Sequence, residues 1–135
     1  MYDVSKLALA AREARKKSYS PYSSVSVGAA LLASSGEIYT GANVENAAFS
    51  PSVCAERVAI LRAVHEGKRS FKAIAVCGGR SGELSVTEFT PCGVCRQTLA
   101  EFCGEDFEVV CATESDVKIY KLSELLPHSF TKEKL

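Results

Sequence analysis

With 135 residues, 47% hydrophobic and 24% charged, the chain has the size and composition of one globular domain, 1–135, rather than two. Sixteen basic residues balance sixteen acidic ones, which gives no support to a general polyanion-binding surface. No run approaches the ~18 apolar residues of a membrane span, and the composition excludes a collagen-like, disordered or strongly nucleic-acid-steered protein.

The first seventeen residues interleave charges with apolar positions and place the basic cluster last. They read as an amphipathic helix over about Ser5 to Lys17, not as a secretory leader. Asp3 or Ser5 can cap it, and Leu7, Ala11 and Ala14 share one side. After the loop Ser18-Tyr19-Ser20-Pro21-Tyr22, a near-continuous apolar run from Val25 to Leu32 reads as a strand. Ser34-Ser35-Gly36 has turn chemistry, and Glu37 to Thr40 returns as the second arm of a hairpin. A loop over 41–53 leads to a helix from about Cys54 to His65, stopped by Gly67. Phe71 to Cys77 is a buried strand bounded by Gly78-Gly79. A long loop reaches Pro91, and a short helix runs from Gly93 to Phe102. Phe107 to Ala112 and Val117 to Leu122 are strands, and Ser123 to Leu126 opens a short helix before Pro127.

Helix-joined strands run parallel and hairpin strands antiparallel. The order therefore predicts an α/β fold: a three-layer αβα sandwich with a single mixed sheet of about five strands and helices on both faces.

Six cysteines without a leader-like start point to a reducing, cytoplasmic compartment, where closely spaced cysteines hold metal or do chemistry. Cys92 and Cys95 have the gap that lets two sulfurs share one ion, and Cys54 supplies a third from another helix start. Three protein ligands and one open position define a catalytic zinc layout; a fourth protein ligand would close it into a structural one. Spacing alone leaves the two in equal contention. Cys77, Cys103 and Cys111 lie in apolar contexts and read as small buried hydrophobes. His65 and His128 read as exposed or capping residues.

Three thiolates around Zn²⁺ leave a net charge of −1, which weakens the ion as a Lewis acid. Helix N-termini and the adjacent Arg57 offset that charge. Glu56, in the first turn after Cys54, reaches a water at the open position without being a ligand. There it can move a proton from water to a substrate nitrogen.

At these residues the sequence resembles the small, homotetrameric zinc cytidine deaminases. A metal-ligand position, any residue, Glu, and later Pro-Cys-x-x-Cys is the signature of zinc deaminases. Cys54-Ala55-Glu56-Arg57 and Pro91-Cys92-Gly93-Val94-Cys95-Arg96-Gln97 carry it here. Tyr19-Ser20-Pro21-Tyr22-Ser23, Val27-Gly28-Ala29-Ala30-Leu31, Gly41-Ala42-Asn43-Val44-Glu45-Asn46-Ala47-Ala48 and Leu125-Leu126-Pro127 extend it over residues 5–130. The resemblance implies one zinc per chain on Cys54, Cys92 and Cys95, with Glu56 as proton shuttle. It implies that Asn43 and Glu45, with Val44 between them, hold ribose hydroxyls; without it the same loop reads as ordinary polar surface. It also implies that the Ala55 N–H faces the pyrimidine carbonyl, that the Thr90 carbonyl faces the amino group at C4, and that Phe130 enters a neighbouring subunit's site.

Three positions depart from the family pattern. Val25 stands where phenylalanine is usual beside the ring, Phe49 stands where tyrosine is common, and His128-Ser129-Phe130 replaces Gly-Ala-Phe. The expected reaction is hydrolytic deamination of cytidine, and of deoxycytidine, in pyrimidine salvage. The competing readings are a blasticidin S deaminase, a nucleic-acid editor, a nucleotide deaminase and a non-catalytic zinc module. Asn43-Val44-Glu45 and Arg57 favour a nucleoside. Zero net charge and the lack of an aromatic-basic groove argue against a nucleic acid, and no phosphate clamp is evident.

Overall fold

Five strands, β1 (Val25–Ala33), β2 (Ile38–Ala42), β3 (Phe71–Arg80), β4 (Glu108–Ala112) and β5 (Val117–Lys121), form one sheet in the order β2-β1-β3-β4-β5. The computed structural model describes residues 1–135. Only β3 and β4 run parallel; every other pair is antiparallel. The parallel pair is the one joined through a helix, α3 (Gly93–Phe102), as a crossover requires. The sheet is mixed and five-stranded, as the order of elements predicts.

Strand alternation divides the core into two layers. Ala29, Leu31, Ile74, Val109 and Cys111 face α2 (Ala55–His65), α3 and α4 (Leu122–Leu125), through Ala59, Ile60, Ala63, Leu99 and Leu122. Ala30, Leu32, Ala73, Ala75, Cys77, Val110 and Ala112 face α1 (Val4–Ala14), through Leu7, Ala8 and Ala11. A one-residue slip in any central strand would exchange these sets. The α1 side is built mostly from alanine, so it gains from close approach rather than from side-chain volume. Gly28 makes that approach possible: a Cβ there would lie 2.1 Å from the Ala11 carbonyl oxygen and 2.6 Å from the Arg15 nitrogen.

Asp3 caps α1 by accepting from the Lys6 N–H at 3.0 Å. The helix stays α-helical only to Ala14 and tightens into a 3₁₀ turn over Arg15–Lys17. Arg15, still in the helical region at φ −53°, ψ −32°, opens that turn. Its buried guanidinium donates to the carbonyls of Ser26, Glu83 and Arg80 at 3.0, 3.1 and 3.0 Å. β3 runs three residues past its expected end at Cys77, because Gly78, Gly79 and Arg80 still pair with Val27, Ser26 and Val25. Phe107 lies just before β4, buried, with its carbonyl accepting from the Leu122 N–H. No helix is long and apolar enough to cross a membrane.

The alanine layer makes a specific demand. Gly28→Ala drives a methyl group into the backbone of α1, and overpacking of this kind costs roughly 1–3 kcal/mol or more. An unfolding free energy lowered by that amount, read as a lower urea midpoint at an unchanged m-value, is the expected result.

Candidate active site

Two helices begin at the same place. Cys54 and Cys92 are the N-cap residues of α2 and α3, and neither thiol is used to cap its helix. Gly41 lets the start of α2 lie against β2, since a Cβ there would sit 2.5 Å from the Ala55 carbonyl oxygen. Cys95, buried in the first turn of α3, completes a cluster whose three sulfurs lie within 4.8 Å of one another. Cys54 Sγ is 3.7 Å from Cys92 Sγ, which is 3.5 Å from Cys95 Sγ. A tetrahedral zinc with Zn–S bonds of about 2.3 Å separates its sulfurs by about 3.8 Å, so the donor set fits that ion. No histidine, carboxylate or further cysteine belongs to the cluster. Cys77 and Cys111 are buried in β3 and β4, and Cys103 is half-buried at the end of α3.

The first-turn N–H groups of both helices have no intrahelical partner and carry partial positive charge beside the sulfurs. Arg57 Nη2 donates to Cys54 Sγ at 3.6 Å and to the Ser52 carbonyl at 3.4 Å. Cys95, and after it Arg57, favour the Cys54 anion by hydrogen bonding, which brings that thiol down to about 5. Cys95 is pushed up in return, by its bond to Cys54 and by burial. Glu56, on the first turn of α2, is only 4% exposed. Burial raises its carboxyl to about 7, and the Cys54 thiolate adds to the rise. An acid with that property beside a metal pocket can take up and release a proton near neutral pH.

The loop before α2 is tied to the cluster by backbone. Val44 and Val53 exchange both N–H···O bonds, at 2.9 and 2.8 Å, one residue before Cys54. On its other side Val44 pairs with Tyr19: Tyr19 N–H donates to Asn43 O and Glu45 N–H to Tyr19 O. Asn43 itself is half enclosed by β1. Its Oδ1 accepts from the Val27 N–H at 2.9 Å and the Ser18 hydroxyl at 2.6 Å, and its Nδ2 donates to the Val25 carbonyl at 2.8 Å. One side-chain N–H is left for a ligand. Glu45 accepts from the N–H groups of Tyr22 and Ser23 at 3.0 and 3.1 Å, and from the Ser23 hydroxyl. Those bonds, the hydroxyl first, hold its carboxyl below the usual range. Glu45 and Phe49 border one open cavity of ≈ 420 Å³, shared with Tyr22, Ser23, Asn46 and Ser52. Phe49 is exposed at φ 60°, its ring edge-on to Tyr22 at 6.3 Å.

The remaining predicted residues divide. Val25 opens β1 directly after Ser24, which has φ 59°, and its carbonyl takes the Asn43 bond. Thr90 is exposed two residues before Cys92, and its hydroxyl accepts from Arg96. Phe130 lies apart from the 420 Å³ cavity, exposed on the tail, with its carbonyl held by Gln97 of α3 at 2.7 Å. A second cavity, of ≈ 800 Å³, lies between the end of α3 and the tail and touches none of the three clustered cysteines. Ser18, Tyr22 and Ser23, which set Asn43 and Glu45, take no role at the site from the sequence, although Tyr22 and Ser23 fall in the family-like segment Tyr19–Ser23. They lie more than twenty residues away along the chain, and only the sheet topology brings the two segments together.

Residues 1–113 match the family described as the cytidine and deoxycytidylate deaminase zinc-binding region. A cytidine deaminase of Sporosarcina psychrophila is 46% identical over 98% of this chain and 95% of its own. A blasticidin-S deaminase of Bacillus cereus is 33% identical over 78% of this chain and 77% of its own. Among solved structures, a cytidine deaminase from Burkholderia pseudomallei superposes with a TM-score of 0.87 at 39% identity, covering 96% of this chain and 100% of that one. A donor set suited to zinc and a match running through 113 residues agree: the chain belongs to the zinc-binding cytidine and deoxycytidylate deaminase family.

Proposed function

We propose that this chain, acting as a single domain over residues 1–135, hydrolyses cytidine and 2′-deoxycytidine to uridine or deoxyuridine and ammonia. The observation that carries the reading is the pairing of a three-sulfur cluster with the buried carboxyl of Glu56, two residues from Cys54 on the same helix start. Cys54, Cys92 and Cys95 would hold one zinc, which lowers the pKa of water and so supplies a nucleophile at neutral pH.

The proton steps fall to Glu56. Its carboxylate takes a proton from the attacking water as the C4–O bond forms, and passes it to ring N3. It then carries the second water proton to the exocyclic nitrogen, so that the C4–N bond breaks with ammonia as the leaving group. Arg57 supports the thiolates. The Ala55 N–H, free at the first turn of α2, would donate to the pyrimidine carbonyl, and the Thr90 carbonyl would accept from the amino group. Glu45 would accept from a sugar hydroxyl and Asn43 would donate its one remaining N–H to it. Val44 would lie between them beside the sugar, its backbone paired with Tyr19 and Val53. Val25 and Phe49 would border the base and sugar, with a smaller side chain beside the ring than the family usually carries.

That polar pair is what favours a nucleoside over blasticidin S, the substrate named for one relative. Phe130 supports an assembly of four chains, since the residue is 59% exposed while its carbonyl is held by Gln97. In that assembly Phe130 reaches a neighbour's site. The six unpaired cysteines fit a reducing cytoplasm, where the reaction would serve pyrimidine salvage.

Zinc-loaded protein should convert cytidine and deoxycytidine, followed by the loss of cytosine absorbance, with free cytosine and dCMP much poorer. Glu56→Gln should lower kcat by about 10²–10⁴-fold while keeping one zinc per chain. Wild-type protein inert toward cytidine would defeat the reading.

A second outcome concerns the zinc-free protein. Glu56 binds its proton more tightly folded than unfolded, so its contribution to stability is lost as pH rises from about 4.5 to about 7. Cys54, shifted the opposite way, adds stability as pH rises above 5. The difference between wild type and Glu56→Gln isolates the first effect. The Gln variant should gain on wild type by on the order of 3 kcal/mol across that window in pH-dependent denaturation.

A further inference from the structure

Arg96 is given no task by anything above. It follows Cys95 in α3, and its guanidinium makes three hydrogen bonds to two separate segments. Nε donates to the Pro91 carbonyl at 2.6 Å, Nη2 to the Thr90 hydroxyl at 3.1 Å, and Nη1 to the Leu125 carbonyl at 2.7 Å. Gln97, the next residue, holds the Phe130 carbonyl. The start of α3 thus grips the turn that leads into Cys92 on one side and the end of α4 with its tail on the other. The same turn is anchored from the sheet: the Tyr120 hydroxyl of β5 bonds the Glu88 carboxylate at 2.7 Å.

Two of the three acceptors flank a single peptide. The Thr90 hydroxyl precedes the Thr90–Pro91 bond and the Pro91 carbonyl follows it. Pro91 has no N–H to donate, and its ring fixes φ, so that peptide gets no orientation from a ladder or helix bond. Its own carbonyl, that of Thr90, accepts no hydrogen bond within the chain. A planar fork bonded on both sides of it sets its direction, and a lysine, as a point charge, would not.

We propose that Arg96 is a positioning residue: it aims the free Thr90 carbonyl at the substrate's exocyclic amino group and links that aim to the seating of α4. The inference rests on Thr90 being the acceptor for that group, as proposed above. It separates substrate from product, because cytidine has an amino hydrogen to donate at C4 and uridine does not.

The test uses zinc-loaded wild type, Arg96→Met, Arg96→Lys and Thr90→Val, with zinc content, kcat/KM for cytidine and the calorimetric affinity for uridine measured on each. Arg96→Met should lose about 10–100-fold in kcat/KM, with uridine affinity within about twofold and one zinc per chain. Arg96→Lys, which keeps the charge but not the fork, should stay close to the Met variant. Thr90→Val removes one acceptor without disturbing α3 and should show a smaller loss of the same kind. That variant decides the matter if Arg96→Met folds poorly or binds less zinc. Active wild type with unimpaired variants, or variants that lose uridine affinity in step with cytidine turnover, would overturn the role of Arg96 and leave the deaminase reading standing. Wild type without cytidine turnover would remove both.

Discussion

Three sulfurs within 4.8 Å of one another repel as soon as they ionise, and the layout of this fold around them is a response to that charge. Coulomb repulsion between two anions at such a distance reaches several kcal/mol at the effective dielectric of a protein surface. Two helix N-termini, each capped by a cysteine whose thiol is left free, aim their partial positive charge at the cluster. Arg57 adds a full charge through Cys54. These groups stabilise the Cys54 thiolate before any ion arrives, and they limit how far thiolate ligation would blunt a bound zinc. Burial of Glu56 follows from the same arrangement. Packed at the start of α2 beneath the cluster, it cannot be solvated, and the loss of water raises its pKa into the range a proton carrier needs.

The rest of the chain serves to hold this junction still. Both helices are seated on one face of the sheet, α2 through Ala55, Ala59, Ile60 and Ala63 and α3 through Leu99, with Gly41 letting α2 approach β2. The loop bearing Asn43 and Glu45 is stitched between Tyr19 and Val53 rather than left free. The polar residues that would meet a sugar therefore sit on backbone continuous with Cys54. Their side chains are also pre-set, Asn43 by β1 and Ser18, Glu45 by Tyr22 and Ser23. Such preorganisation reduces the entropy lost when a ligand binds, and it explains why so polar a loop carries so few unsatisfied groups.

Much of this was legible in the amino-acid sequence. Alternation and the helix-joined order of elements were enough for a mixed five-stranded sheet, and Cys-x-x-Cys with a distant Cys-x-Glu was enough for the metal cluster. Where the reading stopped short, a long-range contact was responsible. Gly78-Gly79 looks like a strand end, yet β3 continues because β1 offers it partners. The N-terminal helix looks uniform through Lys17, yet its last turn, Arg15–Lys17, is 3₁₀, and Arg15 sends its guanidinium to three distant carbonyls. The resemblance assigns Asn43 to a ribose hydroxyl, and only the fold reveals that three of its hydrogen-bonding positions are already employed within the chain. Arg96 falls in the family-like segment Pro91–Gln97 but takes no role from the sequence, because its partners are chosen by tertiary structure.

X-ray absorption at the zinc edge on the purified, zinc-loaded chain tests the central claim most directly. Three sulfur neighbours at about 2.3 Å and one oxygen neighbour near 2.0 Å are expected, with the sulfur count falling to two in Cys95→Ser. Four sulfur neighbours, or a shell made of nitrogen and oxygen alone, would contradict it.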